Sequence, residues 1–564
     1  MNENFPDLEV QSKHDYYKEK IVYFYYNTTR SHTLSAFAGQ FDDFVQVLKK
    51  DILIDKIYEQ YAFIIYQLTL HNRDQYNGKG EHDVSYVLID VLYKHLPNLA
   101  LACLYQFVHP CYKGRAYGSW RDIKHLCHYT TNEKLVDECI EIMNNALSKD
   151  VLVIAREKSQ EDAKKTISNV AKWIPRENKK FGWLFERLAI NWSNKYFPYL
   201  LKNPSAYDRA LRKAKMTYRR LVAGLNTLKD TLEVKLCSDQ WNKIDIHSIP
   251  QLAFSKYKNA LCKYVFDSPE KIFERTFYSD TNMKRLECSL KTKKYLENKY
   301  YPEGAFEPDR EHAPYVPFTQ PLSQLVKRAF ELIDQKRELE IDILNNEWSQ
   351  INGLLDAKSL ENIIPIIDMS FLSKSTDGYY NAIGLALLVA QRSTLAKRIL
   401  VIDNELSWVN LQDDTNFISM IKKLRDDTKS RTSTICNFIG AMKEFVKYID
   451  ESKLSNIKIK DMTLVYFHTQ PLEENTHSQI IKLFYNGGLT GSQNLAFPCP
   501  KMIYWNLSTT TSSCPSAINS KNSILLSGYS ANLICTLSKL QKDSYSTIVE
   551  TLKEYRHPEN DNRQ

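Results

Sequence analysis

The sequence predicts a mainly α-helical, multidomain protein that closes with a doubly wound α/β domain. From Phe41 to Leu290 apolar residues recur at three- and four-residue spacing, the mark of amphipathic helices. From Asn362 onward short β-branched runs alternate with helix-like segments, the mark of a parallel sheet built from βαβ units. With only 16 Gly and 19 Pro among 564 residues, the chain is neither turn-rich all-β nor disordered.

Taken in order, residues 1–35 read as an N-terminal extension. Residues 36–290 read as a helical module of HEAT-like or α-solenoid type, with strings such as "FDDFVQVLKKDILIDKIYEQYAFIIYQLTL" and "LVDECIEIMNNALSKDVLVIARE" separated by short breaks. No fixed repeat period is visible. Residues 291–320, polar, aromatic and rich in proline, read as a connecting loop, and 321–355 as a linking helix. Residues 356–545 carry "NIIPIID", "RILVID", "MTLVYFH" and "KMIYWNL", each predicted to be a buried strand, with "SILLSG" as an edge strand. Residues 546–564 read as a C-terminal tail, with "EYRHPENDNRQ" frayed.

Bulk properties narrow the function classes. A chain of 564 residues exceeds one hydrophobic core. Its apolar (43%) and charged (25%) fractions are ordinary for a globular protein. No apolar run reaches bilayer length, so no membrane span is expected. The start lacks the basic head and apolar stretch of a secretory signal, which predicts a cytoplasmic protein. Eleven scattered cysteines suit reduced thiols rather than a disulfide framework. His125, Cys127 and His128 lack the second ligand pair a structural zinc needs and read as ordinary helix residues. A net charge of +8 permits nucleic-acid binding without demanding it.

Four strings bear on binding. In "RDQYNGKGEHD", Arg73 and Lys79 lie in a glycine-bearing loop that could face phosphate; the preferred reading is a helix–helix turn with Glu81 or Asp83 near the next helix start. "GSWRDIKHL" reads as a helix start with Ser119 as N-cap and Asp122 three residues on. Trp120 and, in "AKWIPRE", Trp173 are expected to pack against helices, base stacking being the alternative. "DRALRKAKMTYRRL" places Arg209, Arg212, Lys213 and Arg220 on one broad helix face with Arg219 at its edge. With Lys179 and Lys180 upstream, these form a candidate phosphate-binding strip, against the bland reading of a solvated charged face.

Several strings in this order resemble a known family: "RDQYNGKGEHDVSY", "GSWRDIKHL", "AKWIPRE", "TYRRLVAGLNTLKDTLEVKLCSDQWNKID", "IDMSFLS", "RILVID" and "YWNLSTTTSSCPSAINSKNSILLSGYSANLI". The chain resembles a domain-of-unknown-function family of plants, fungi and giant DNA viruses. Its members join a TROVE-like helical module, related to that of the Ro autoantigen, to a C-terminal vWA-like domain. The resemblance implies RNA as a partner of the helical module and a protein partner for the vWA-like domain. A viral member would also be compatible with a virion location.

A vWA-like domain implies a metal site of the pattern Asp-x-Ser-x-Ser with a threonine and a second acid from later loops. Asp368 and Ser370 match the first two positions and Thr434 the threonine. Leu372 replaces the second serine, and His468-Thr469-Gln470 stands where the second acid belongs. With one carboxylate left, the site is expected to be degenerate, empty or weak for Mg²⁺, and no cofactor is expected. The hydroxyl-rich "WNLSTTTSSCPSAINSKNSILLSGYS" lacks a nucleophile elbow, and no catalytic constellation appears elsewhere. The expected function is a non-enzymatic RNA-binding or ribonucleoprotein scaffold. The alternative is a protein-interaction or structural component, with "YFYY" (Tyr23 to Tyr26) and "NKYYPEGAF" as docking arms.

Overall fold

The computed structural model describes residues 5–30, 34–111, 114–199, 207–249, 251–264, 280–300, 321–335, 338–355, 360–369, 376–395, 397–403, 405–428, 437–492, 494–517 and 520–556. They fall into two compact units, Met1–Tyr117 with Gln320–Gln564, and Gly118–Thr319. The expected division into a helical module over 36–290 and an α/β domain over 356–545 is therefore replaced. The first helices belong with the sheet, because the helix Phe5–Asn27 packs on the strand Ser523–Ser527 and on the last helix of the chain, and the helices over 34–108 pack with it and one another.

Unit 1 opens with α1 (Phe5–Asn27), α2 (Leu34–Ile54), α3 (Glu59–Arg73), α4 (Asp83–His95) and α5 (Pro97–Val108). Unit 2 comprises α6 (Trp120–Tyr129), α7 (Glu133–Arg156), α8 (Gln160–Thr166), α9 (Val170–Trp173), α10 (Gly182–Tyr196), α11 (Tyr207–Leu228), α12 (Leu232–Cys237), α13 (Gln251–Leu261) and α14 (Asp280–Tyr300). Unit 1 resumes with α15 (Leu322–Leu332) and α16 (Glu338–Leu354), two helices where one linking helix was expected. The first ten residues of the expected loop over 291–320 belong to α14; the remainder lies outside the described residues.

The sheet consists of β1 (Ile363–Asp368), β2 (Arg398–Ile402), β3 (Leu406–Asn410), β4 (Thr463–His468), β5 (Lys501–Asn506) and β6 (Ser523–Ser527). Their order is β3-β2-β1-β4-β5-β6, parallel except for the antiparallel edge strand β3. All five expected strands form; β3, "LSWVN", was not foreseen because it is short and only half-buried. Helices α17 (Asp377–Arg392), α18 (Phe417–Thr428), α19 (Phe438–Glu451) and α21 (Thr476–Thr490) connect the strands, with the short α20 (Asn456–Asp461) before β4. The expected tail from 546 instead contains most of α22 (Ser544–Leu552) and a buried Tyr555; residues 557–564 lie outside the described residues.

The supposed N-terminal extension is core. Tyr17, Ile21, Val22, Phe24, Tyr25 and Tyr26 of α1 are buried, so "YFYY" is no docking arm. Phe24 meets Phe37, Phe41 and Phe44 of α2 with ring centroids 5.1–5.7 Å apart. The helix and α22 also pack on β6, covering a sheet edge that would otherwise template aggregation. "NKYYPEGAF" begins at the end of α14 and then leaves the described residues.

Candidate nucleic-acid interface

In a doubly wound sheet, ligands bind outside the carboxyl ends of the strands, where the strand order reverses. Here that point lies between β1 and β4, ending on Asp368 and His468. From β4 to β6 the edge is filled by the protein's own chain. The Nδ1 of His468 faces the Gln470 carbonyl at 2.8 Å. That carbonyl can only accept, so Nδ1 carries the proton and Nε2 accepts from the Tyr26 hydroxyl at 2.7 Å. Burial lowers the His468 pKa to about 4, so the ring is neutral. Asn506 donates to the Tyr26 carbonyl (2.9 Å), Thr29 to the Ser508 carbonyl (2.8 Å), and Asn27 exchanges two bonds with the Ser512 backbone.

Lys79 completes this plug. Its ammonium reaches the C-terminal end of α1, donating to the carbonyls of Tyr25 and Thr28, to the Thr28 hydroxyl at 2.6 Å and to Ser527 Oγ at 2.7 Å. A cation on the orphan carbonyls of a helix end is the favourable polarity. Two glycines permit the close approaches, Gly78 to the end of α3 and Gly528 to the lysine itself. A Cβ at Gly78 would lie 1.9 Å from the His71 carbonyl, and Gly528 (φ +123°) leaves space for the Lys79 stem, which a Cβ would approach to 3.1 Å. The backbone N–H groups of Lys79 and Glu81 cap α3 through the carbonyls of His71 and Asn72. The turn reading of "RDQYNGKGEHD" holds, with Asp83 opening α4. As RNA-binding candidates Arg73 and Lys79 are corrected: at 1% and 2% exposure no phosphate reaches them.

For the metal site, Ser370 and Thr434 lie outside the described residues. Asp368 ends β1, and its charge reaches Tyr379 and Tyr466. His468, in the place of the second acid, has both ring nitrogens committed to Gln470 and Tyr26. Among the described residues no group of three His, Cys, Asp or Glu side chains is arranged to hold a metal.

Within unit 2 the candidate cations are at the surface. Arg209, Arg212, Lys213 and Arg220 are exposed on α11, opposite the buried Ala210, Ala214 and Tyr218. Lys179 and Lys180 are exposed in the turn before α10, with Lys180 Nζ 5.6 Å from the Phe181 ring. Arg219 differs, being ion-paired with Glu177.

A cluster that sequence reasoning missed lies on α6. The Ser119 N–H donates to the Asp122 carboxylate at 2.7 Å, closing the expected capping box and fixing the helix start. Trp120, Ile123, Leu126 and Cys127 then face inward, leaving Arg121 and Lys124 on the open side. Lys124 sits 5.0 Å from the Trp173 ring and 5.1 Å from Phe181. Burial, and the like charges of Arg121 and Lys256 beside it, lower its pKa. No ion pair holds Lys124, Arg121 or Lys256 among the described residues. The open-face spacing of Arg121 and Lys124 was readable from the α6 periodicity; their convergence with Lys256 of α13 was not. His125 and His128 pack edge-on against Phe181 and Cys127 is buried, so this trio is structural, as expected.

The molecule thus joins helical elements to an α/β sheet of Rossmann-like order, with a cationic, aromatic face on unit 2. Residues 364–563 match a family model described as a domain of unknown function, DUF7788. The chain is also similar to the uncharacterized protein L728 of Acanthamoeba polyphaga mimivirus, at 22% identity over 561 residues, covering 94% of this chain and 86% of that protein. No solved structure matches. Among the described residues no helix is long and apolar enough to cross a membrane.

Proposed function

We propose that this protein is a non-enzymatic RNA-binding or ribonucleoprotein scaffold. Unit 2 is its RNA-binding body and the α/β domain a vWA-like partner-binding domain that works without metal. The observation that carries the reading is the α6 cluster: Lys124 between Trp173 and Phe181, beside Arg121 and Lys256, with no ion pair among the described residues. Like charges held close together have an electrostatic cost that a polyanion relieves, and half-exposed rings offer stacking surfaces to unpaired bases. The exposed cations of α11 and Lys179 and Lys180 extend the positive surface. The strand order and antiparallel edge strand support the vWA-like reading of the second domain, and the TROVE-like reading rests on the sequence resemblance. A cytoplasmic site of action goes with this reading, and the similarity to a mimivirus protein makes a virion location its viral counterpart.

The test is a salt titration of binding to single-stranded RNA. The wild-type protein is expected to show affinity that falls steeply with salt. R121E/K124E is expected to bind about tenfold or more weakly, with a slope lower by roughly 0.7 per lost phosphate contact. No measurable affinity at low salt, a slope near zero, or an unaltered double variant would overturn the reading.

One observation favours a second reading, a protein-interaction or structural component. Ile481, Tyr485 and Leu489 form an exposed apolar stripe along α21 of the α/β domain. A protein partner retained after nuclease and EDTA treatment, and lost on Tyr485→Glu, would place the function there instead.

A further inference from the structure

Unit 2 contains a crevice of about 500 Å³ between α14 and the segment Asn242–His247, within the range of about 300–1,000 Å³ usual for small-molecule sites. Its floor is apolar. Ile244 and Ile246 are buried in a cluster with Trp241, Leu261 and Cys288, and Tyr295 packs against that cluster while lining the crevice. The His247 ring stands edge-on to Tyr295 at 4.9 Å between centroids.

The rim is cationic and drawn from two elements. Lys243 comes from the 3₁₀ turn Trp241–Lys243, and Lys291 and Lys294 come from α14. Lys291 is held in place by donating to the Asn242 carbonyl at 2.7 Å and pairing with Glu287 at 2.9 Å. Lys243 and Lys294 are exposed, and no ion pair holds either among the described residues. The lining carboxylate, Asp245, accepts the backbone N–H of His247 at 3.1 Å and so caps its own turn. Lys243 and Lys294, with no ion pair among the described residues, thus stand beside Lys291, which Glu287 neutralises, and the lining acid Asp245, over an apolar and aromatic floor.

We propose that this crevice binds a nucleotide, its base against Tyr295 and the isoleucine floor and its phosphate between Lys243 and Lys294. An apolar floor alone would take any small hydrophobe, and a cationic rim alone any anion; their junction selects a ligand that is aromatic at one end and phosphorylated at the other. A free mononucleotide and the phosphorylated end of an RNA strand share that chemistry. The proposal does not depend on the α6 face binding RNA.

Calorimetric titration of the full chain with AMP, adenosine and inorganic phosphate tests it. AMP is expected to bind, with adenosine and phosphate each weaker by about tenfold or more. K243E/K294E is expected to weaken AMP by a similar factor with an unchanged melting transition, and K243A/K294A provides the same reading with a milder change. R121E/K124E is expected to leave AMP binding intact, which separates this site from the proposed RNA face. Competition by a 5′-phosphorylated oligonucleotide but not by its 5′-hydroxyl form would assign the site to an RNA end, and AMP binding without such competition to a free nucleotide. Absence of AMP binding at millimolar concentration, equal affinity for phosphate and AMP, or wild-type AMP affinity in both lysine variants would overturn the proposal.

Discussion

Lys79 lies between two glycines in a polar loop, where local rules place a solvated side chain. The fold buries it instead and uses its three donors to close the end of α1 against β6. Burial drives its pKa well below the usual lysine value, and the four oxygens around the nitrogen offset part of that cost. Lys79→Met keeps the stem and removes the donors, leaving Thr28 and Ser527 without that partner. The expected loss is roughly 2–4 kcal/mol, read as a lower urea midpoint with the slope unchanged; an unmoved midpoint would show that the network contributes nothing. Nothing in the local sequence marks Lys79 as buried.

At the scale of elements, the strand runs were legible because β-branched residues buried on both faces leave a continuous apolar signature. β3 escaped notice because a half-exposed edge strand has only a short alternation to show. The largest misreading was α1. Its aromatics read as exposed because they precede the first strongly periodic helix, and because its partners, "SILLS" and the segment around Ser508, lie about five hundred residues away in the chain. Removal of residues 1–29 is expected to expose β6 and the His468 pocket. The shortened chain should then bind a hydrophobic dye and lose cooperative unfolding, and a peptide of residues 5–29 added in trans should restore it in part. A truncated chain with wild-type cooperativity would show that α1 is dispensable.

At the scale of the whole molecule, the two units differ in how they meet acid. His71, His468 and His477 are buried in unit 1, and burial lowers their pKa values to about 3, 4 and 4. Nδ1 of His71 bonds the Tyr555 hydroxyl, which in turn donates to Asp74, while Nε2 of His71 has no partner among the described residues, so a proton there would be a buried, unsolvated charge. Each folded value lies below the unfolded value of about 6.5, so the unfolded chain takes up protons first. The stability these groups contribute is complete above pH ~6.5 and is lost as pH falls, by roughly 3 kcal/mol each at pH ~4. Glu81, whose carboxyl pKa is raised by burial, acts in the opposite direction but is one group against three. Calorimetry at pH 7 and pH 4.5 is expected to show the unit 1 transition moving down steeply and separating from that of unit 2. Two transitions that shift together would contradict the assignment of the acid-sensitive groups to one unit.

The sequence by itself determined the class of the fold, the five apolar strands, the cap at Ser119, the turn at Gly78 and the exposure of the α11 cations. Each of these depends on residues within one or two turns of one another, so periodicity and backbone chemistry suffice. Only the tertiary structure decided that the first helices belong with the sheet, that Lys79 and Tyr26 fill its carboxyl edge, and that Lys124, Arg121 and Lys256 converge beside two aromatic rings. Those outcomes come from pairings across tens to hundreds of residues, where burial and electrostatics outweigh local preference.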